Sequence, residues 1–95
     1  MKAGLIFHLK HELDDGAIVE MVIWRVPRRV LGSDHDFKYR LYFGRGGRRL
    51  VGYDNERGKG DHRHVRGREF VYSFKSPEQL VADFLVDVED VRRRR

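Results

Sequence analysis

Residues 37–43 read FKYRLYF, and this strict alternation of apolar and polar side chains decides the fold class. Side chains two positions apart in a strand point to the same face of a sheet. A strand with one apolar and one basic face is typical of an antiparallel sheet that buries one side and exposes the other. The apolar face carries Phe37, Tyr39, Leu41 and Phe43, and the basic face carries Lys38, Arg40 and Tyr42.

Four further strands are predicted around this one, at residues 4–13, 17–26, 48–54 and 68–74. Residues 14–16, DDG, indicate a tight hairpin turn, because glycine accepts a positive φ at no steric cost. The second strand is apolar on both faces, so it is expected to be central, with Trp24 in the core. Gly52 indicates a bulge or a close approach of another group in the fourth strand. Residues 55–67 are rich in glycine and charge and are predicted to form a loop.

A single helix is predicted to follow Ser76, which has the residue type of an N-cap. Pro77 takes the first helical position, and Gln79 is expected to complete a capping box with Ser76. The predicted architecture is an α+β fold, an antiparallel β-meander of about five strands with one C-terminal helix packed on one face. Residues 1–91 form this single domain, and residues 92–95 form a basic tail. The apolar stripe of the helix consists of Leu80, Val81, Phe84, Leu85, Val88 and Val91.

The composition excludes several classes of protein. The chain has 95 residues, of which 40% are apolar, which suffices for one modest core. It contains no cysteine, so disulfides and thiolate metal sites are excluded. The sequence has neither a run of 18 apolar residues nor a signal-like N-terminus, so we expect a cytoplasmic protein with no membrane partner.

Positive charge is concentrated in the middle and at the end of the chain, within a formal net charge of +5. Residues 28–49 contain seven lysines and arginines against two acids, and residues 55–68 contain five against two. Residues 92–95 add four arginines. A basic surface of this kind indicates an anionic ligand, for which nucleic acid is the default candidate.

Residues 54–64, DNERGKGDHRH, concentrate the reactive side chains of the chain. A packed core has no use for such a mixture of acids, histidines and cations, whereas loops on a rigid sheet often carry functional groups. A purely structural interpretation competes with this one, because histidines on an exposed loop are often only solvated. The residues expected to shape the loop are Asp54, Asn55, Gly58 and Gly60.

Residues 50–64, LVGYDNERGKGDHRH, resemble the signature of the TumE family. Residues 13–16, LDDG, before an apolar strand, residues 39–42, YRLY, and the final helix are also similar to that family, so the resemblance covers nearly the whole chain. It implies a prokaryotic toxin of a type II toxin–antitoxin pair, whose antitoxin carries a helix-turn-helix DNA-binding domain. The resemblance supplies no catalytic residues, so the chemistry is argued from residue types alone.

The first hypothesis is RNA cleavage without a metal ion or other cofactor. This reaction needs a base, an acid and cations that hold the phosphate. His62 and His64 suit the proton transfers, because histidine titrates near neutral pH and both side chains share a face in an extended segment. Glu56 or Asp61 would orient a histidine or act as the base. The residues expected to contact nucleic acid are Arg57, Lys59, Arg63, Lys38, Arg40 and Tyr53, with Tyr42 as an alternative to Tyr53 for stacking on a base.

Two alternatives stay open. The two histidines and nearby acids would supply ligands for Zn²⁺ or Mn²⁺ in a metal-dependent hydrolase, although neighbouring cationic side chains oppose a bound cation. A non-catalytic nucleic-acid- or protein-binding module would use the same basic surface without turnover. The acids available to a metal are Asp54, Glu56 and Asp61.

The antitoxin is expected to cover the basic loop, since blocking the site is the simplest neutralisation, and a sheet edge could support a homodimer. Glu20 lies in the most apolar strand, where a carboxylate is costly unless paired, so we expect it to contact Arg40 or a site histidine. His8, His11 and His35 are scattered and are expected to be solvated.

Overall fold

The computed structural model describes residues 3–94, which form one antiparallel sheet and one helix. The strands lie side by side in the same order as in the chain, so the sheet is a meander. The predicted α+β fold is confirmed, with six strands in place of about five. The elements are β1 Gly4–Glu12, β2 Ile18–Arg25, β3 Phe37–Arg45, β4 Arg48–Glu56, β5 Gly60–Val65, β6 Arg68–Val71 and α1 Pro77–Arg93.

The prediction of a loop at residues 55–67 is wrong, because β5 lies within it. A tight turn joins β4 to β5, and Lys59 N donates to Glu56 O at 3.0 Å. Gly58 and Gly60 have φ values of 81° and 82°, a left-handed conformation that glycine adopts without strain. Strand β5 escaped recognition because it contains a single aliphatic residue and its outward face is polar, so it lacks an apolar alternation.

Helix α1 covers one face of the sheet, here called the helix side. Leu41 from β3 and Leu80 and Phe84 from α1 are almost completely buried there. Burying one such side chain contributes about 1.5–3 kcal/mol. The predicted apolar stripe is buried or partly buried except for Leu85, which is 44% exposed. Leu85 lies about 100° around the helix axis from Phe84, so it points away from the centre of the packed stripe.

Within residues 3–94, no helix covers the other face of the sheet, here called the open face. Trp24 projects from this face and is 37% exposed, so its predicted place in the core is wrong. The reason is that β2 is apolar on both faces while only one face is covered. Two rows of facing residues cross β3, β4 and β5 on the open face: Arg40, Asp54 and His62, and then Tyr42, Gly52 and His64.

A β-bulge near the start of β4 decides which side chains reach the open face. The register shifts between Phe43 and Gly44 of β3 and leaves Leu50 of β4 as the extra residue. Leu50 is partly buried against the core. The side chain of Arg49 crosses the open face at Gly52, where an added Cβ would come within 2.7 Å of Arg49 Cδ. The close approach predicted for Gly52 is therefore present, and the bulge lies two residues before it.

Helix α1 begins as predicted, with Ser76 as the N-cap and Pro77 in the first turn. The Ser76 hydroxyl oxygen accepts a hydrogen bond from Gln79 N at 3.0 Å. The Gln79 side-chain amide donates instead to Asp83 Oδ1 at 2.7 Å, so it is not available to complete the predicted capping box.

The C-terminal end of α1 includes part of the predicted basic tail. Arg92 and Arg93 form the last turn, where cations interact favourably with the helix dipole. Arg92 Nη1 also lies 3.6 Å from Asp15 Oδ2, in the β1–β2 turn. Arg95 lies outside the described residues.

Candidate functional site

His62 and His64 share the open face of β5, as their spacing predicted. Two residues along a strand separate their Cα atoms by about 6.7 Å. Asp54 lies opposite His62 in the ladder with β4, and Gly52 lies opposite His64. The two imidazoles therefore occupy adjacent rows of the open face, where the side chain of His62 is 13% exposed.

The imidazole of His62 has a neighbour at each nitrogen. Its Nδ1 is 3.1 Å from the carbonyl oxygen of Gly60, and its Nε2 is 3.5 Å from Glu69 Oε2. A carbonyl oxygen only accepts hydrogen bonds, so this contact assigns the proton of the neutral ring to Nδ1. The lone pair of the neutral ring is then on Nε2, which is the nitrogen that can take up a proton.

Glu69 of β6 is a functional candidate that the sequence reasoning missed. It lies opposite His64 in the ladder, and its carboxylate is 2.6 Å from Lys59 Nζ. The hydrogen bond from Lys59 lowers the pKa of Glu69 below its ordinary value, so the carboxylate is negative at neutral pH. The alternation of residues 68–74 already put Glu69 on the face opposite Phe70. The predicted loop at residues 55–67 concealed the strand that it faces.

Arg40 projects from the middle of the open face, and 60% of its side chain is exposed. Its guanidinium lies 5.5 Å from the centre of the Tyr42 ring and 3.9 Å from a carboxylate oxygen of Glu20. The predicted contact between Glu20 and Arg40 is confirmed, and Glu20 is also 3.9 Å from His8. These distances are longer than hydrogen bonds, so Arg40 is accessible to an anionic ligand.

Lys38 and Arg49 extend the positive charge along the same face. Lys38 Nζ donates to the main-chain carbonyl of Asn55 at the edge of the β4–β5 turn. Arg49 reaches the open face because of the bulge, and it lies over Gly52. Sequence alternation alone could not find Arg49, because an inserted residue reverses the inside–outside pattern beyond it.

Asp61, predicted to be catalytic, lies on the helix side, away from the two histidines of the open face. Its carboxylate accepts hydrogen bonds from Ser33 Oγ at 2.5 Å and Tyr39 Oη at 2.7 Å, and it is 2.7 Å from His35 Nε2. His35 is only 12% exposed and stacks on Phe74, with ring centres 3.8 Å apart. The predicted solvation of His35 is therefore wrong, because the connection between β2 and β3 folds back onto β5.

Asn55 is completely buried beside this cluster. Its Oδ1 accepts from Tyr39 N at 3.0 Å, and its Nδ2 donates to Phe37 O at 2.8 Å and to Ser33 Oγ at 3.2 Å. All the hydrogen-bonding groups of this amide are engaged, so it ties β4 to β3 and to the β2–β3 connection. Asn55 thus has a structural position within β4, where the sequence had predicted a loop-shaping residue.

Tyr53 and Arg63, predicted to contact nucleic acid, face helix α1. Tyr53 Oη donates to Asp87 Oδ2 at 2.5 Å, and Arg63 Nε donates to the same oxygen at 3.0 Å. Burial raises the pKa of Tyr53 well above its ordinary value, and the hydrogen bond to Asp87 adds to this effect. Both side chains therefore hold the helix on the sheet and do not reach the open-face histidines.

Glu56, Arg57 and Gly58 lie at the β4–β5 turn, and all three are exposed. Glu56 is two residues beyond Asp54 along β4, so about 6.7 Å separates their Cα atoms on the open face. Gly60, by contrast, is buried, and an added Cβ there would come within 2.8 Å of the Gly32 carbonyl oxygen. The turn therefore joins the open face to the β2–β3 connection.

Within residues 3–94, no three histidine or acidic side chains come together as potential ligands of a metal ion. The single helix of this part of the chain is too short and too polar to span a membrane.

These features define a small α+β protein whose sheet leaves a face rich in histidine and arginine uncovered. The family model described as Toxin TumE matches residues 3–92, which is nearly the whole chain. The chain belongs to the TumE toxin family, so the resemblance seen in residues 50–64 is confirmed. No curated protein and no solved structure matches the chain. Family membership supports a toxin role and, with it, an antitoxin partner.

Proposed function

We propose that this chain is the toxin of a type II toxin–antitoxin pair and that it cleaves RNA on the open face without a metal ion. The observation that carries the proposal is the placement of His62 and His64 on the same face of β5, beside the carboxylate of Glu69. The family supplies the toxin role, and the geometry of the histidines supplies the chemistry.

The two histidines act as base and acid across one phosphodiester. The neutral imidazole of His62 takes the 2′-hydroxyl proton at Nε2, and the 2′-oxygen then bonds to phosphorus. The bond from phosphorus to the 5′-oxygen breaks, and His64, in its protonated form, gives a proton to that leaving oxygen. The products are a 2′,3′-cyclic phosphate and a 5′-hydroxyl end. A Cα separation of about 6.7 Å suits this reaction, because the attacking and leaving oxygens lie on opposite sides of phosphorus.

Charged side chains on the open face bind the substrate and stabilise the transition state. Arg40 lies in the row of His62 and Arg49 lies over Gly52 in the row of His64, and each guanidinium can hold phosphoryl oxygens with paired hydrogen bonds. Tyr42 lies in the row of His64, with its ring centre 5.5 Å from the Arg40 guanidinium, and offers a ring on which a base can stack. Glu69, held negative by Lys59, stabilises the imidazolium that forms on His62.

This division of roles differs from the sequence-based one. Asp61, Tyr53 and Arg63 receive no catalytic or substrate-binding role, because their side chains are engaged on the helix side. Glu56 is an alternative to Glu69 as the carboxylate of the site, and it lies at the end of the open face, about 6.7 Å along β4 from Asp54.

The partner proposals follow from the same surface. An antitoxin with a helix-turn-helix domain would neutralise the toxin in the cytoplasm by placing acidic side chains over the open face. A homodimer would form through β1, an edge strand whose nine residues are all exposed, including Leu5 at 53% and Ile6 at 47%. Sedimentation at micromolar concentration tests the dimer, and Ile6→Lys should abolish it.

The test of the chemistry is cleavage of a mixed cellular RNA pool by purified protein, with and without a chelator. The variants are His62→Ala and His64→Ala, singly and together, and the matched control is His11→Ala, an exposed histidine at the far edge of the sheet. We expect the wild type and the His11 variant to cleave in the chelator. Each open-face variant should lose activity by about 10²- to 10⁴-fold at unchanged urea midpoint.

The other outcomes are equally informative. Activity that disappears in the chelator would contradict the metal-free mechanism and favour the hydrolase alternative. RNA binding without turnover, unchanged in the double histidine variant, would favour a binding module. Full activity in both single variants would remove the histidines from the mechanism.

A further inference from the structure

A surface pocket of about 460 Å³ lies where the β2–β3 connection meets the β4–β5 turn. Four cationic side chains line it, and Val30 and Leu31 form its apolar wall. Two of the cations come from the connection, one from β3 and one from the turn, so the fold gathers them from three separate segments. The cations are Arg28, Arg29, Lys38 and Arg57.

The wall of this pocket is held in place by short contacts between the connection and the turn. Gly58 N donates to Leu31 O at 2.6 Å. Gly32 and Gly60 approach so closely that a Cβ on Gly32 would meet Gly60 N at 2.9 Å. Behind these contacts, Ser33 is hydrogen-bonded to Asp61 of β5. The pocket is therefore preorganised, which reduces the entropic cost of binding a ligand.

The positive charge of the pocket is only partly compensated. Arg29 Nε donates to Asp36 Oδ1 at 3.2 Å, and Lys38 donates to a main-chain carbonyl. Arg28 and Arg57 form no salt bridge with any residue of the described range 3–94. Four cations against one bound carboxylate favour an anion, and two guanidinium groups suit the planar oxygens of a phosphate.

The pocket is continuous with the open face. Lys38 belongs to both surfaces, and two residues along β3 separate it from Arg40, a distance of about 7 Å. Arg40 lies in the same row as His62. A single strand of nucleic acid lying on the open face over β3, β4 and β5 would therefore contact the histidines of β5 and reach the pocket at one end of the sheet.

We propose that this pocket is a subsite for a backbone phosphate of single-stranded RNA, at a nucleotide beyond the one that is cleaved. Arg28 and Arg57 bind the phosphate oxygens, Lys38 carries the strand from the open face, and Leu31 contacts the adjoining sugar or base. The subsite rests on the proposed function, because it takes the same strand that the histidines cut. Its role is to fix the position of that strand relative to His62 and His64.

The experiment measures binding of a fluorescent 12-nucleotide single-stranded RNA with 2′-O-methyl groups, which cannot be cleaved through the 2′-oxygen. The test variant is Arg28→Ala/Arg57→Ala. The control is Arg93→Ala/Arg94→Ala, which removes the same charge from the end of α1. We expect the pocket variant to raise Kd at least tenfold and to reduce the salt dependence by about 0.7 in the log–log slope, as the loss of one neutralised phosphate of a single strand requires. The control should change Kd less than twofold.

Two results would overturn the subsite: equal weakening by both double variants, or an unchanged Kd and salt slope in the pocket variant. Failure of the proposed chemistry is detected separately, by cleavage of unmodified RNA, which binding of the uncleavable strand does not require. A wild type that binds the RNA through the pocket but never cleaves unmodified RNA would retain the subsite and remove the nuclease. A wild type that does not bind single-stranded RNA would remove the subsite itself.

Discussion

Tyr39 Oη on β3 donates a hydrogen bond of 2.7 Å to Asp61 Oδ2 on β5, reaching across the intervening strand β4. The same carboxylate oxygen is 2.7 Å from His35 Nε2, and the other oxygen accepts from Ser33. Asp61 therefore joins two strands and the β2–β3 connection. Its acidic side chain serves the fold, although its neighbours in the sequence, His62 and Arg63, suggested catalysis.

Replacing Asp61 with Asn should destabilise the protein by about 2–3 kcal/mol. The NH₂ group of the new amide is a donor, and it would face hydroxyl donors that now bond to the Asp61 carboxylate. Urea denaturation at pH 7 measures this loss. Asp34→Asn, an exposed substitution in the same connection, should change stability by no more than about 0.5 kcal/mol. Equal stability of the Asp61 variant and the wild type would show that the cluster contributes nothing to folding.

Gly52→Ala should weaken RNA binding about fivefold, or roughly 1 kcal/mol, with little loss of stability. The backbone of Gly52 has no positive φ, so alanine fits the strand, but its Cβ would displace the side chain of Arg49. Affinity for the uncleavable 12-nucleotide RNA is the measurement. Because Arg49→Ala removes the same contact, the double variant should bind no worse than Arg49→Ala alone. Additive losses would mean that Gly52 acts by another route.

Glu69→Gln should reduce RNA cleavage about tenfold, because the charge that stabilises the imidazolium of His62 is lost. The substitution keeps the shape of the side chain and removes the charge that lies 3.5 Å from His62 Nε2. Rates of cleavage and binding of uncleavable RNA should be measured together. We expect the rate to fall while binding holds or improves, because a negative charge leaves the surface. Unchanged turnover would exclude a role for this carboxylate.

The pH dependence of cleavage should not reflect Glu69 in the neutral range. Lys59 lowers the pKa of Glu69. The carboxylate is therefore negative at any pH above the ordinary glutamate range, and it loses its charge only as the pH falls through the lowered pKa. The rate profile between about pH 5 and 8 should therefore have the same shape in the wild type and in Glu69→Gln. If that dependence vanished in Glu69→Gln, the carboxylate itself would be the titrating group.

Stability should fall steeply above pH 10, because burial raises the pKa values of Tyr39, Tyr53 and Tyr72 in the folded protein. A raised folded pKa gives stability that is complete below the unfolded pKa, near 10, and is lost as pH rises above it. Above the unfolded pKa, each tyrosine that stays protonated only in the folded state lowers the free energy of unfolding by about 1.4 kcal/mol per pH unit. Tyr53→Phe should reduce the slope between pH 10 and 11 by about that amount in urea denaturation. An identical slope in the variant would contradict the linkage.

The sequence by itself determined the elements whose patterns are local. The alternation of residues 37–43 fixed the exposed and buried faces of β3, and Ser76 with Pro77 fixed the start of α1. The spacing of His62 and His64 put them on one face, because side-chain direction in a strand repeats every two residues. The signature of residues 50–64 identified the family, since it depends only on the order of residues.

Only the tertiary structure decided which of the reactive side chains meet. Strand β5 is recognisable by its hydrogen bonds to β4 and β6, not by an apolar pattern, and these bonds bring Glu69 to His62. The bulge at Leu50 turns Arg49 onto the open face, and the placement of α1 over one face draws Tyr53 away from it. Hydrogen bonding between strands and packing of the helix depend on residues far apart in the chain, which local patterns do not encode.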